Sequence, residues 1–113
     1  MSYHIKELLL DDDDNPFAVW FGSLEAVAAA KVRVAISRME QGNLSNVEWF
    51  RGIGEYKIDW GPGLRIYLAK DGLKIIILIG GGTKTRQQQD IDQAVALWED
   101  YKRRKASSSR GAK

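Results

Sequence analysis

Trp60-Gly61-Pro62-Gly63-Leu64-Arg65-Ile66-Tyr67-Leu68-Ala69-Lys70-Asp71-Gly72-Leu73-Lys74-Ile75-Ile76-Ile77-Leu78-Ile79-Gly80 is the stretch that decides the fold. Two apolar, β-branched runs are separated by Asp71-Gly72, the dipeptide most suited to a two-residue hairpin. A Gly-Pro-Gly turn precedes them, with glycine free to take positive φ and proline fixing its own. Upstream, Glu55–Trp60 alternates in the same way. The reading is a three-strand antiparallel meander over Glu55–Trp60, Leu64–Lys70 and Leu73–Gly80.

The turns suggest a register. A turn at Asp71-Gly72 pairs Lys70 with Leu73, Tyr67 with Ile76 and Arg65 with Leu78. A three-residue Gly61–Gly63 loop pairs Trp60 with Leu64, Asp59 with Arg65 and Lys57 with Tyr67. One face then carries Tyr56, Ile58, Trp60, Leu64, Ile66, Leu68, Ile75, Ile77 and Ile79, and is the expected core. The other carries Glu55, Lys57, Asp59, Arg65, Tyr67, Ala69, Lys74, Ile76 and Leu78. It is expected to be wet, with its charges around the middle strand.

Outward from the meander, residues 2–9 alternate as a strand, and Asp11–Asp14 form a solvated acidic loop. Asn15-Pro16 opens a short helix that ends at Gly22. Ser23 is read as the cap of a second helix running to Gln41, stopped by Gly42. Leu24, Val27, Ala28, Val32, Ala35, Ile36 and Met39 form its apolar stripe. A last helix spans about Arg86–Arg104, with Thr85 and Gln88 at capping-box spacing and Ile91, Ala94, Val95, Trp98 and Tyr101 on its apolar side. The expected fold is α+β in the order β-α-α-β-β-β-α, with helices packed on a small, mainly antiparallel sheet. One domain covers 1–101, and 102–113 form a basic, disordered tail.

The 113 residues, 44% of them hydrophobic, suffice for one core. The absence of cysteine excludes disulfides and thiolate metal sites. No signal peptide or membrane-spanning run is read, and a cytoplasmic location is expected. Residues 1–50 hold four Lys/Arg against eight Asp/Glu, and residues 51–113 hold thirteen against seven. The basic second half suits an anionic partner. Asp11–Asp14 lack the glycine and terminal glutamate of a calcium loop, and Gly80–Gly82 lack the spacing of a phosphate-binding loop. His4, in the first strand, is read as structural.

The element order, Asn15-Pro16-Phe17, Gly61-Pro62-Gly63-Leu64-Arg65-Ile66-Tyr67, and Gly80-Gly81-Gly82-Thr83-Lys84 followed by Gln87, Asp90 and Ile91, resemble the RelE/ParE superfamily of toxin–antitoxin toxins. The HigB-like addiction-module killer branch is the nearer likeness, and Trp98 fits its last helix. The resemblance spans roughly residues 3–101. It implies an mRNA endonuclease (an mRNA interferase), often ribosome-dependent, with no cofactor and no metal. It also implies as partners mRNA, the ribosome and a cognate antitoxin, expected to be of helix-turn-helix type, and no membrane.

By that correspondence Arg65 is the leading catalytic candidate, followed by Lys84; Lys57 and Tyr67 come next, on geometry more than on motif. Arg51, Lys74, Arg86 and Gln87 are candidates for RNA contact. In such chemistry the 2′-OH attacks the adjacent phosphorus. A base takes its proton, cations stabilise the phosphorane, and an acid protonates the departing 5′-oxygen. Arg65 suits charge stabilisation. Lys84 could stabilise charge or supply a proton, and Tyr67 could be the base if nearby cations lower its pKa. The last helix continues past the point where many relatives present a catalytic tyrosine or histidine, so the base stays unassigned. The alternatives are a ParE-like gyrase poison without chemistry and an inactive RNA- or protein-binding homologue.

Overall fold

The computed structural model describes residues 2–111. The elements are β1 (His4–Glu7), α1 (Pro16–Gly22), α2 (Ala26–Glu40), β2 (Val47–Phe50), β3 (Ile53–Ile58), β4 (Leu64–Lys70), β5 (Ile75–Thr83), a 3-10 turn (Lys84–Arg86) and α3 (Gln87–Gly111). The sheet order is β1-β5-β4-β3-β2. β1 runs parallel to β5 and every other pair is antiparallel. The α+β class and the expected elements are present, with one strand more than the sequence reading.

That strand, β2, returns into β3 through Arg51-Gly52, both with positive φ (53° and 83°). An arginine in the left-handed region is not a usual turn signal. From there its side chain pairs with Asp92 of α3 at 2.8 Å.

Both sheet faces are covered, which corrects the expectation of a wet face. α1 and α2 lie over Tyr56, Leu64, Ile66, Leu68, Ile76 and Leu78 through Phe17, Ala28, Val32, Ala35 and Met39. α3 lies over Ile53, Tyr67, Ala69, Ile77 and Ile79 through Ile91, Ala94 and Trp98. Tyr67, assigned to the solvated face, is 1% exposed.

The registers also differ. β3 meets β4 two residues away from the expected pairing, as Lys57↔Arg65 and Glu55↔Tyr67, which preserves the faces. The β4–β5 connection is a four-residue loop, in which the Asp71 N–H donates to the Ile75 carbonyl at 2.9 Å. Lys70 therefore pairs with Ile76. This shift of three residues, an odd number, moves Ile76 and Leu78 to the α1/α2 side and Ile77 and Ile79 to the α3 side. Ile79 has no opposite residue, since Leu68 pairs with Leu78 and Tyr67 with Gly80: a β-bulge.

The Asn15 side chain caps α1, accepting the Ala18 N–H at 3.0 Å. Trp20 lies on Gly81, where an added Cβ would overlap the indole. The middle glycine thus seats α1 on the sheet. Ser23 closes α1 rather than capping α2: its hydroxyl donates to the Trp20 carbonyl at 2.6 Å.

The expected disordered tail is helical through Gly111, and residues 112 and 113 lie outside the described residues. Charge anchors this polar helix end. Lys105 Nζ donates to Asp71 at 2.6 Å, and Arg104 bonds both Asp100 (2.9 Å) and the Leu9 carbonyl (3.0 Å). Among the described residues no helix is long and apolar enough to cross a membrane.

Candidate functional site

At the end of the sheet where β3 turns into β4 and β5 leaves for α3, three cations converge. Lys57 and Arg65 are cross-strand partners. The Lys84 N–H donates to the Pro62 carbonyl at 3.4 Å, which ties the exit of β5 to the Gly61–Gly63 turn. Together these residues line an open cleft of about 520 Å³, with Asp59, Gly61, Pro62 and Gly63 on its rim. Gly63 has φ +81°, and a Cβ there would lie 3.1 Å from Arg65 Nη1 and 3.7 Å from Lys84 Cβ. Glycine at this position lets the guanidinium and the lysine approach the loop.

Arg65 is 8% exposed. Its Nη1 donates to the Gly63 carbonyl at 3.0 Å. Its Nε, buried and without a hydrogen bond among the described residues, lies 3.5 Å from Glu55 Oε2. Glu55, 1% exposed, forms the floor behind the cations. Its Oε2 also accepts the Tyr67 hydroxyl at 3.0 Å and the Gln87 side-chain N–H at 2.9 Å, and its Oε1 lies 3.9 Å from Lys57 Nζ. Lys57, half exposed, also reaches Glu48 at 3.5 Å.

This geometry corrects the role given to Tyr67. Burial first, and then the negative charge of Glu55, push its phenol well above the ordinary tyrosine range. The opposing influence of Arg65 is the smallest of the causes. The phenol, 1% exposed and donating to a carboxylate, is absent from the lining of the cleft, and its raised pKa is the opposite of what a base there needs.

The RNA-contact candidates separate. Arg51 sits in the β2–β3 turn and Lys74 in the β4–β5 loop, at the opposite end of β4 from the cleft. Gln87 turns inward to Glu55. Arg86, exposed, donates through Nε to Gln89 at 3.0 Å. It borders a second groove of about 530 Å³ between α1 and α3, together with Trp20, Gly80, Gly81 and Asp90. Burial raises the pKa of Asp90, against the lowering influence of Arg86. Among the described residues no three His, Asp or Glu side chains gather into a place for a metal ion.

Glu55 is the residue that sequence reasoning passed over, placing it only among the charges of the expected wet face. Its signal was available: an acid on an inner strand, on the face of Lys57 and Arg65, needs a cation when that face is covered.

Neither a family model nor a solved structure matches the chain. A protein of Haemophilus influenzae, described as uncharacterized, is 36% identical over 102 residues, which cover 88% of this chain and 97% of the relative. Identity of that extent, along nearly the whole of both chains, shows that this chain belongs to the same family as the Haemophilus protein.

Proposed function

We propose that the protein is the toxin of a type II toxin–antitoxin pair, an endoribonuclease of the RelE/ParE superfamily in its HigB-like branch, acting on mRNA in the cytoplasm and in association with the ribosome. The observation that carries this reading is the convergence of Lys57, Arg65 and Lys84 on one open cleft. An RNA phosphate in that cleft would meet the guanidinium edge of Arg65 and the ammonium groups of the two lysines. The 2′-OH bonds to phosphorus, the bond to the 5′-oxygen breaks, and a 2′,3′-cyclic phosphate and a free 5′-hydroxyl result. Arg65 stabilises the charge on the phosphorane. In this reading the 2′-OH gives up its proton and the 5′-oxygen takes one up, and Lys57 and Lys84, which line the same cleft, would supply charge or a proton there. The partner in this reading is an antitoxin. A groove of about 410 Å³ between α2 and β3, with exposed Val27 and Val34 on one wall and Lys31, Arg38 and Lys57 at its edge, suits an acidic amphipathic segment of it.

One observation favours a second reading, a toxin that binds its target without chemistry: the phenol that could have served as base is sealed beneath α3. Induction in a bacterial host, with mRNA 5′ ends mapped before and after growth arrest, tests the two. New 5′-hydroxyl ends inside translated messages support the nuclease. Arrest with intact messages supports the binding toxin, and undisturbed growth opposes both.

A further inference from the structure

We infer that Glu55 is the positioning residue of this cleft: its carboxylate, 3.5 Å behind the Arg65 Nε, holds the guanidinium by charge in the orientation in which it meets a phosphate. The inference deepens the nuclease reading and rests on it for the identity of the natural ligand. It stands on three geometric facts. First, the Arg65 donors are divided. Nε faces Glu55 at 3.5 Å and one Nη1 bond goes to the Gly63 carbonyl, which leaves the other Nη hydrogens on the side that lines the cleft. Second, Glu55 is itself fixed from two elements. Tyr67 of β4 and Gln87 of α3 both donate to the oxygen that faces Arg65. Third, Glu55 does not line the cleft, so it acts through Arg65 and touches no ligand there.

Charge alone and positioning predict opposite signs. Removing a buried negative charge beside Arg65 raises the local positive potential, which by itself tightens the binding of an anion. If Glu55 orients the guanidinium, the same change frees it to rotate and weakens binding, because directional charged hydrogen bonds are lost.

The experiment titrates inorganic phosphate into the full chain at fixed ionic strength, following the Arg65 Nε–H signal by NMR. In the unaltered protein this signal should move on binding. Glu55→Gln, which keeps the side-chain volume, should bind phosphate more weakly by about tenfold, the worth of one charged hydrogen bond. Tyr67→Phe and Gln87→Ala each release one restraint on Glu55 and should weaken binding by a smaller factor. If Glu55→Gln does not fold, these two variants carry the test with the same sign. Equal or tighter phosphate binding in the variants, or an Arg65 signal indifferent to phosphate in the unaltered protein, overturns the inference. RNA cleavage is measured separately. If the phosphate pattern holds while the unaltered protein cleaves no RNA, the nuclease reading falls and the positioning role stands.

Discussion

Lys57 and Arg65 stand directly opposite one another on β3 and β4, two cations in one cross-strand pair. Like charges so placed destabilise a sheet. Here Glu55 lies within 3.9 Å of the lysine and 3.5 Å of the arginine, and Glu48 lies 3.5 Å from the lysine, which together offset the repulsion. Strand pairing alone would not select this arrangement, and an anionic ligand would complete it.

Lys84 separates function from stability most cleanly, because its side chain is exposed. Lys84→Ala should change stability by no more than about 0.5 kcal/mol. Cleavage of a model mRNA should fall by about 100-fold or more, the usual effect of removing one transition-state charge stabiliser. Thermal melts and cleavage rates on the same preparation check both halves.

Tyr67→Phe should lower stability by about 1–2 kcal/mol, since Glu55 loses a buried donor. Cleavage should stay within about tenfold of the unaltered protein, far short of the loss expected on deleting a general base. A fall of about a thousandfold would return Tyr67 to the chemistry.

Gly81→Ala should destabilise by about 3 kcal/mol, because the new methyl overlaps the Trp20 ring and forces α1 off the sheet. Trp20→Leu in the same chain should recover part of the loss, since the two changes act on one contact. Urea denaturation of the two single variants and the double variant measures the coupling.

Asp90 and Asp71 should shape the pH dependence in opposite senses. Burial raises the pKa of folded Asp90, so its contribution is full below the ordinary carboxylate pKa and is lost as pH rises through the raised value. The hydrogen bond from Lys105 lowers that of Asp71, so its contribution is present above the ordinary value and is lost as pH falls through the lowered one. Asp90→Asn should therefore raise Tm at neutral pH, and Asp71→Asn should lower it there and flatten the loss in acid. Melts between about pH 3 and pH 7 read both slopes.

The sequence told most where period and punctuation agreed. Asn15-Pro16 marked α1, and the Gly-Pro-Gly turn marked the start of β4. It told less where tertiary contacts overrode local signals. Asp71-Gly72 reads as a two-residue hairpin, but Tyr101 and Lys105 bind the Asp71 carboxylate and the loop takes four residues. Ile75–Ile79 are apolar on both faces, so alternation could not reveal the changed parity or the bulge at Ile79. For the site, the family resemblance singled out Arg65 and Lys84, and strand alternation added Lys57 on the face of Arg65. Neither revealed that α3 covers Tyr67, since the amphipathic pattern of a helix does not say which sheet face it will take.

The pairing of β1 with β5 has a temporal consequence. His4 finds its sheet partner in Ile75, and the α3 side chains that close the face above Tyr67 come later still. A ribosome making this chain releases its first strand long before that strand has a neighbour. Contacts so distant along the chain slow folding. The cationic cleft, whose lining includes Lys84 just past the end of β5, therefore forms only once β5 has found its place beside β4.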